Sequence, residues 1–270
     1  MHLENKQRQY WCSTCRRHFT VRVNTIFHRS HVPLDKWLYA IYLITVARKG
    51  ISSMQLSKEI GVTQKTAWYQ AQRIREAFNA YVTNGTDADG ILSGIVEVDE
   101  AYFGGRNDNR HERKRLSQPE VWENKTKVLV ARERGTGRVR TAVVGNVTNE
   151  TLTDFIYSNV TMGSVVCTDD FPCYTSIEND YVRKSVCHSA KEYVNGQAHT
   201  NGAESFWALL KRAFYGTYHY FSTKHAHCYT CEFAFRAHEG SCKRHSYERL
   251  DAALERIFTK RTTYKQIIAA

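Results

Sequence analysis

"ILSGIVEVDEAYFGG" occupies residues 91–105. β-Branched residues run into acids and then glycines, so the stretch reads as a buried strand ending in carboxylates. "KVLVARER" and "VRTAVVGNV" follow as two further strands, and the "GTG" between them at 135–137 predicts a hairpin. "NETLTDFIYSNV" predicts a helix capped by Asn149. "GSVVCTDD" is a second buried strand ending in acids, and "YVRKSVCH" is a fifth. "HTNGAESFWALLK", His199–Lys211, reads as a closing helix. Three strands, a helix, two strands and a helix predict an α/β layered arrangement on a mixed sheet.

Two of these strands end in carboxylates, at Asp99 and Asp169. Either acid alone is ordinary for a loop. If the strands are neighbours, the two converge, and clustered anions repel. A divalent cation resolves that conflict, and carboxylate oxygens suit Mg²⁺ or Mn²⁺. On the closing helix, Asn201, Glu204 and Lys211 share one side at 3.6 residues per turn. Ala203, Trp207, Leu210 and Phe214 form an apolar seam about a quarter turn away, suited to packing on the sheet. Glu204 is therefore a candidate third metal-binding carboxylate. Lys211 is poorly spaced to pair with it and better placed to hold a phosphate backbone. A solvated helix face with scattered charges is the alternative reading.

The chain has 270 residues and a net charge of +11, with 38 Lys+Arg against 27 Asp+Glu. That balance favours a polyanionic partner, nucleic acid first, over a merely soluble basic protein. No apolar run is long enough to predict a transmembrane helix. "MHLENKQRQYW" lacks a signal-peptide stretch, which predicts a cytosolic or nuclear location. Of eight cysteines, only two pairs have C-x-x-C spacing, so no disulfide framework is expected. Cys12 and Cys15 have the spacing of a zinc half-site. His28 and His31 would complete it, although their gap is one residue short of a finger. Half of a zinc ribbon, or two unliganded thiols, are the other readings. Cys228 and Cys231 read as lone thiols on a helix.

Between these lies a helical block. Trp37, Leu38, Ile41, Tyr42 and Ile44 predict an amphipathic helix over 33–48. Ser53 is expected to cap a second helix ending at Ile60. Gly61 breaks the chain, and Thr63 caps a third helix running to about Tyr81. This is the helix-turn-helix pattern, which would place Gln64, Lys65 and Thr66 where base edges are read. Arg73 and Arg75 are expected to reach phosphates. An ordinary three-helix bundle has the same signature. "VTNGTDADG", 82–90, reads as a linker. "GRNDNRHERKR" carries Arg106, Arg110, Arg113, Lys114 and Arg115, a loop suited to tracking DNA phosphates or to solvation alone.

"VEVDEAYFGG", "CTDDFPCY", "CHSAKEY" and "HTNGAESFWALLKRAFYGTYH" together resemble the DDE transposases of insertion sequences related to the eukaryotic Merlin elements, the ISXO-like group. "CSTCRRHFTVRVNTIFHRSHVPLDKW" is similar to the end of that family's zinc ribbon and its following helix. The resemblance covers roughly residues 10 to 236. It implies an RNase H-like nuclease domain preceded by a small all-α helix-turn-helix domain. Asp99 and Asp169 carry over as the first two catalytic acids. The third falls on Glu204 or Asn201; Glu204 leaves 34 residues after the second acid, and an anion binds Mg²⁺ more strongly than an amide. Lys211 matches the lysine that follows. Glu100 and Asp170 are set aside because strand alternation points them to the opposite face.

The implied organisation is a partial zinc-ribbon remnant over 1–32, the helix-turn-helix over 33–81, the linker 82–90, the catalytic domain 91–240 and a helical tail 241–270. The implied activity is two-metal cleavage at transposon ends and strand transfer on double-stranded DNA, by an oligomer, with Mg²⁺ or Mn²⁺. A catalytically dead DNA-binding regulator is the alternative. The location expected is cytoplasmic and nucleoid-associated in a bacterium, or nuclear in a eukaryote. Departures from the family are the absent first C-x-x-C, Asp170 where glycine is common, and the cysteines of "CYTCEFAFRAHEG". The first of these suggests a truncated copy without a closed Zn²⁺ site.

Overall fold

The computed structural model of the chain describes residues 9–81, 91–105, 107–186, 199–259, 262–263 and 266–267. A short antiparallel hairpin comes first, β1 (Tyr10–Cys12) with β2 (Arg17–Phe19). Three helices follow: α1 (Leu34–Val46), α2 (Ser53–Ile60) and α3 (Gln64–Ala77), the last continued by a 3-10 turn over Phe78–Tyr81. Gly61 ends α2 at φ 61°, a left-handed cap that glycine adopts without steric cost. Thr63 caps α3 by accepting from the Thr66 N–H, as expected. α2 is capped one residue earlier than expected: Ser52, not Ser53, accepts from the Gln55 N–H at 3.1 Å. Ser53 is already inside the helix.

The central sheet contains β3 (Ile95–Phe103), β4 (Thr126–Glu133), β5 (Val139–Val144), β6 (Val165–Asp169) and β7 (Val182–Val186). Its order is β5-β4-β3-β6-β7. β3, β4 and β5 are antiparallel neighbours, whereas β6 joins β3, and β7 joins β6, in parallel. This mixed order is the RNase H-like arrangement anticipated above. A short helix, α4 (Gln118–Glu123), precedes β4. α5 (Asn149–Asn159) links β5 to β6 and is capped by Thr148, which accepts from the Thr151 N–H at 3.3 Å; Asn149 is its first helical residue rather than its cap. α6 (Asn201–Ala213), α7 (Thr223–Ala237) and α8 (Ser246–Thr259) complete the fold. Among the described residues no helix is long and apolar enough to cross a membrane.

Strand alternation divides the sheet residues between two cores. Val96, Val98, Leu129 and Ala131 pack with Leu152 and Ile156 of α5. Ala101, Phe103, Val128 and Val130 pack with Ala203, Trp207 and Leu210 of α6 and with α7. Glu97 and Asp99 share the parity of Ala101, so they face α6. That second core also takes in Trp37 and Ile41 of α1, Ala67 and Ile74 of α3, and Ala253 and Ile257 of α8. α1–α3 and α8 are thus packed continuously with the α6–α7 side of the sheet. The expected linker lies outside the described residues.

A buried ionic junction sits inside this shared core. Glu232 of α7 is fully buried and pairs with Arg75 of α3 at 2.5 Å and with Arg236 one turn on. The Tyr218 hydroxyl donates to the same carboxylate at 3.0 Å, and Arg75 lies over the Tyr229 ring. Arg236 also donates to the carbonyls of Ile44 and Thr45 at the end of α1. Burial alone would raise the Glu232 pKa, but the two guanidinium groups outweigh it and hold it down.

Glu133 secures the β4–β5 hairpin. It accepts from the Ser93 N–H at 2.9 Å, the Thr136 hydroxyl and the Arg138 guanidinium. Burial pushes its pKa up, yet these bonds bring it down to about 2. A depressed carboxylate contributes stability above its unfolded pKa and loses it as pH falls through the folded one. Glu133→Gln is expected to cost about 1–3 kcal/mol at neutral pH, the range for bonds to charged groups. In urea titrations the gap between parent and variant should shrink as pH falls from about 4.5 towards 2.

Candidate active site

β3 and β6 run in parallel with Glu97 opposite Cys167. Two residues further along each strand, Asp99 and Asp169 stand level on the face towards α6. Neighbouring strands lie about 4.8 Å apart, and the Asp169 carboxylate is near enough for its charge to act on Asp99. Burial pushes the Asp99 carboxyl up, the anions of Glu100 and Asp169 push it further, and its pKa reaches about 7. Two donors oppose that rise: the Glu100 N–H at 2.8 Å and the Trp207 indole N–H at 3.0 Å. Asp169 accepts from the Phe171 N–H at 3.2 Å, and its own carbonyl accepts from Arg183.

The two adjacent acids behave differently. Glu100 is hydrogen-bonded by the Tyr174 hydroxyl at 2.8 Å, within the α5-side core. Burial raises its pKa, and Asp169 adds to the rise. Asp170 is exposed. Alternation therefore separates Glu100 from the α6 face, although its charge is still felt at Asp99.

Trp207 was expected to belong only to the seam of α6. It is buried as predicted, but its N–H also reaches Asp99. That contact sets the rotation of the helix. Glu204, one turn earlier, is about 60° around the helix from Trp207, and Asn201 is about 120° from it. Both are exposed in the first turn of α6, and Lys211 is exposed in the last. Among the described residues, the oxygens of Asp99, Asp169 and Glu204 do not all lie within 4.8 Å of one another. The three do not form a closed cage.

What holds α6 there is Glu97, which the sequence reading passed over. Thr200 stands at the N-cap of α6 without a side-chain cap bond. The buried Glu97 carboxylate takes that place, accepting from the Ala203 N–H at 2.9 Å. Its other oxygen pairs with Arg134 at 2.6 Å and meets the His199 ring at 3.4 Å. Arg134 also donates to the His199 carbonyl at 2.7 Å, and Arg132 donates to the Gly202 carbonyl. Gly202 permits this approach: a Cβ there would stand 2.6 Å from a Glu97 oxygen. The available signal was period two. Glu97 is a charged residue inside an apolar strand, on the same face as Asp99.

The expected DNA contacts divide into three groups. Lys65 is exposed at the start of α3; Gln64 donates to Ser53 at 2.8 Å, and Thr66 bonds to Thr63 at 2.9 Å. Arg73 and Arg75 are buried rather than available to phosphates. Arg73 donates to the His28 carbonyl at 3.0 Å and lies over Trp37 and Tyr69, while Arg75 serves Glu232. Their position on the inner face of α3 decides this. Arg110, Arg113, Lys114 and Arg115 are exposed on a loop folded around Asn107, whose side chain bonds both backbone groups of Leu116 at 2.9 Å. Arg106 lies outside the described residues. The loop and the segment after α6 border one groove, lined by Gly104, Asn109, Tyr215 and Tyr220.

Cys12 and Cys15 sit on the β1–β2 hairpin. Hydrogen bonds from Cys15 and Thr14 hold the Cys12 thiol below its usual range. Among the described residues the two join no third ligand, so the finger with His28 and His31 is not formed. His28 instead accepts from the Asn24 N–H at 3.3 Å.

Residues 91–238 match the ISXO2-like transposase domain. The chain is 32% identical over 214 residues to an uncharacterized protein in transposable element ISH50 of Halobacterium salinarum, covering 76% of this chain and 70% of that protein. Among solved structures, the catalytic core domain of BIV integrase aligns at TM-score 0.36 and 19% identity, over 60% of this chain and 95% of that one. A Mos1 strand transfer complex aligns at 0.31 and 10% identity, over 87% and 82%. With most of the sheet, α6 and α7 inside the matched segment, and a homologue encoded in a transposable element, this chain belongs to the ISXO2-like transposase family.

Proposed function

We propose that this transposase is a metal-dependent DNA phosphoryl transferase that cuts at transposon ends and joins the freed 3′-OH to target DNA. The observation that carries the reading is the pairing of Asp99 with Asp169, with the Asp99 pKa pushed to about 7. Crowded, partly desolvated carboxylates are a poor arrangement for an isolated fold and a suitable one for a divalent cation. Asp99, Asp169 and Glu204 would hold Mg²⁺ or Mn²⁺, with Asn201 as the neighbouring amide ligand. Bound there, such ions supply Lewis-acid activation of the attacking oxygen and charge neutralisation at the leaving one.

The chain's own groups supply position. Trp207 and the Glu97–Arg134 clamp fix α6 against β3, and Glu204 on that helix would supply the third carboxylate. Lys211 extends a cation along the same helix to hold a phosphate of the incoming strand. Lys65, Gln64 and Thr66 would contact duplex DNA at the helix-turn-helix, and Arg113, Lys114 and Arg115 would follow the backbone. Cleavage breaks a P–O3′ bond by attack of water. Joining is attack of the resulting 3′-OH on a target phosphodiester, with the target's 3′-oxygen leaving. Assembly on paired ends as a multimer completes the proposal.

Purified protein is expected to nick supercoiled DNA in Mg²⁺ or Mn²⁺, with activity lost in EDTA, and to join a pre-cut end to target DNA. Changing residues that only orient a metal's ligands typically costs about 10–100-fold, so Asp99→Asn or Asp169→Asn should cost at least about 100-fold in both assays. Strand transfer surviving in Asp99→Asn sinks the assignment. DNA binding by the parent without nicking favours the regulator, and nicking without joining a plain nuclease.

The third ligand is resolved by comparing Glu204→Gln with Asn201→Ala. Glu204→Gln is expected to be inactive; full activity there moves the role to Asn201. Gly202→Ala tests positioning. It should lower kcat about 10-fold or more by shifting α6, as expected when a reacting geometry is misplaced, while the circular dichroism spectrum stays that of the parent.

A further inference from the structure

Away from the strand acids, three side chains with metal-binding atoms meet between α3 and α7. Glu76 is on α3, and His227 and Cys228 are on α7. They are the one group of three or more such residues, among those described, whose ligand atoms all lie within 4.8 Å of each other. His227 Nε2 is 3.2 Å from Glu76 Oε2 and 3.2 Å from Cys228 Sγ; Cys228 Sγ is 3.7 Å from the same Glu76 oxygen. For a tetrahedral Zn²⁺ with ordinary bond lengths, the edges between ligand atoms are about 3.3 Å for N to O and about 3.5 Å for either to sulfur. The observed triangle has the dimensions of one face of that tetrahedron.

The surroundings fit the same reading. Glu76 has its other oxygen held by Asn79 at 3.0 Å, which turns Oε2 towards the histidine and the thiol. Asn79 also accepts from Cys231 at 3.6 Å. An oriented carboxylate is what a metal ligand requires of its neighbours. The site is reachable, because the His227 side chain keeps 26% of its surface exposed and that of Glu76 keeps 17%. Cys228, expected to be a lone thiol, has these partners only because α3 is folded against α7.

We propose that Glu76, His227 and Cys228 form a site for Zn²⁺ or a similar borderline-soft divalent cation, with water in the fourth position. A thiolate, an imidazole and a carboxylate select such an ion over Mg²⁺. Binding releases the thiol proton. The ion cross-links α3 to α7, and so the helix-turn-helix to the sheet layer. This site does not depend on the proposed catalysis.

Co²⁺ reports the site directly, since only a thiolate ligand gives the sulfur-to-cobalt charge-transfer band. The full chain is used with Cys12→Ser and Cys15→Ser, which removes the other paired thiols. One equivalent of Co²⁺ is expected to produce the band, and Zn²⁺ to abolish it. Adding Cys228→Ser should remove the band, and His227→Gln should weaken Co²⁺ affinity about 10-fold or more. Zn²⁺ should raise the Tm of the double-serine protein and not that of the Cys228→Ser form. No band in the double-serine protein, or a band that persists with Cys228→Ser, overturns the proposal. If Cys228→Ser does not fold, His227→Gln decides instead: unchanged Co²⁺ affinity overturns it.

Discussion

A buried carboxylate at the start of one helix organises this molecule. Glu97 stands in the middle of a core strand, where an unpaired charge would be costly. It is satisfied from three directions: the N-terminal N–H groups of α6, the guanidinium of Arg134 and the ring of His199. The helix start lacks a side-chain cap of its own, so strand and helix each satisfy the other. Removing one partner of such a buried arrangement typically costs about 3–5 kcal/mol. Because Asp99 is two residues further along the same strand face, whatever fixes α6 to Glu97 also fixes it relative to Asp99. The indole bond from Trp207 is the second point of attachment, one turn further along the helix. Two attachments set both the position and the rotation of the helix, and a third acid on it inherits that geometry.

A second buried carboxylate performs a similar task between layers. Glu232 takes both Arg75 and Arg236, and Arg236 in turn binds the carbonyls that end α1. Two cations about one anion leave a net positive charge in a desolvated place, which the ring faces of Tyr218 and Tyr229 and the backbone carbonyls temper. Such a junction is a weak source of stability but a demanding one geometrically. It makes the orientation of α3 relative to α7 specific. The Glu76, His227 and Cys228 cluster lies on the same pair of helices, so both features act on one joint. Through that joint the helix that would read DNA is attached to the helices that cover the strand acids.

Several features of this fold were legible in the chain. The inner strands β3, β4 and β6 were readable as largely apolar runs, because strands buried on both faces need little polar alternation. The apolar seam of α6, the left-handed turn at Gly61 and the Thr63 cap follow from local chemistry. Two caps were displaced by one residue, to Ser52 and Thr148, because adjacent serine, threonine and asparagine residues can all accept the same N–H bond. The errors at Arg73 and Arg75 have another origin. An arginine on a helix is exposed by default, and only the arrival of Glu232, Trp37 and the His28 carbonyl makes burial favourable.

By itself the sequence determined the sheet, the helices, the basic balance and the two acids at strand ends, since these depend on residue type and period. Period two also put Glu97, Asp99 and Ala101 on one side of β3. Tertiary structure alone decided that β6 lies beside β3, and that Asp99 is buried there, which with the charges of Glu100 and then Asp169 lifts its pKa to about 7. It alone decided which arginines are buried, and that Cys228 meets a carboxylate more than a hundred residues earlier, from Glu76 to Cys228. The physical reason is common to all three. A charge or a thiol has no fixed role until neighbouring elements set its solvation and its partners, and those neighbours come from distant parts of the chain.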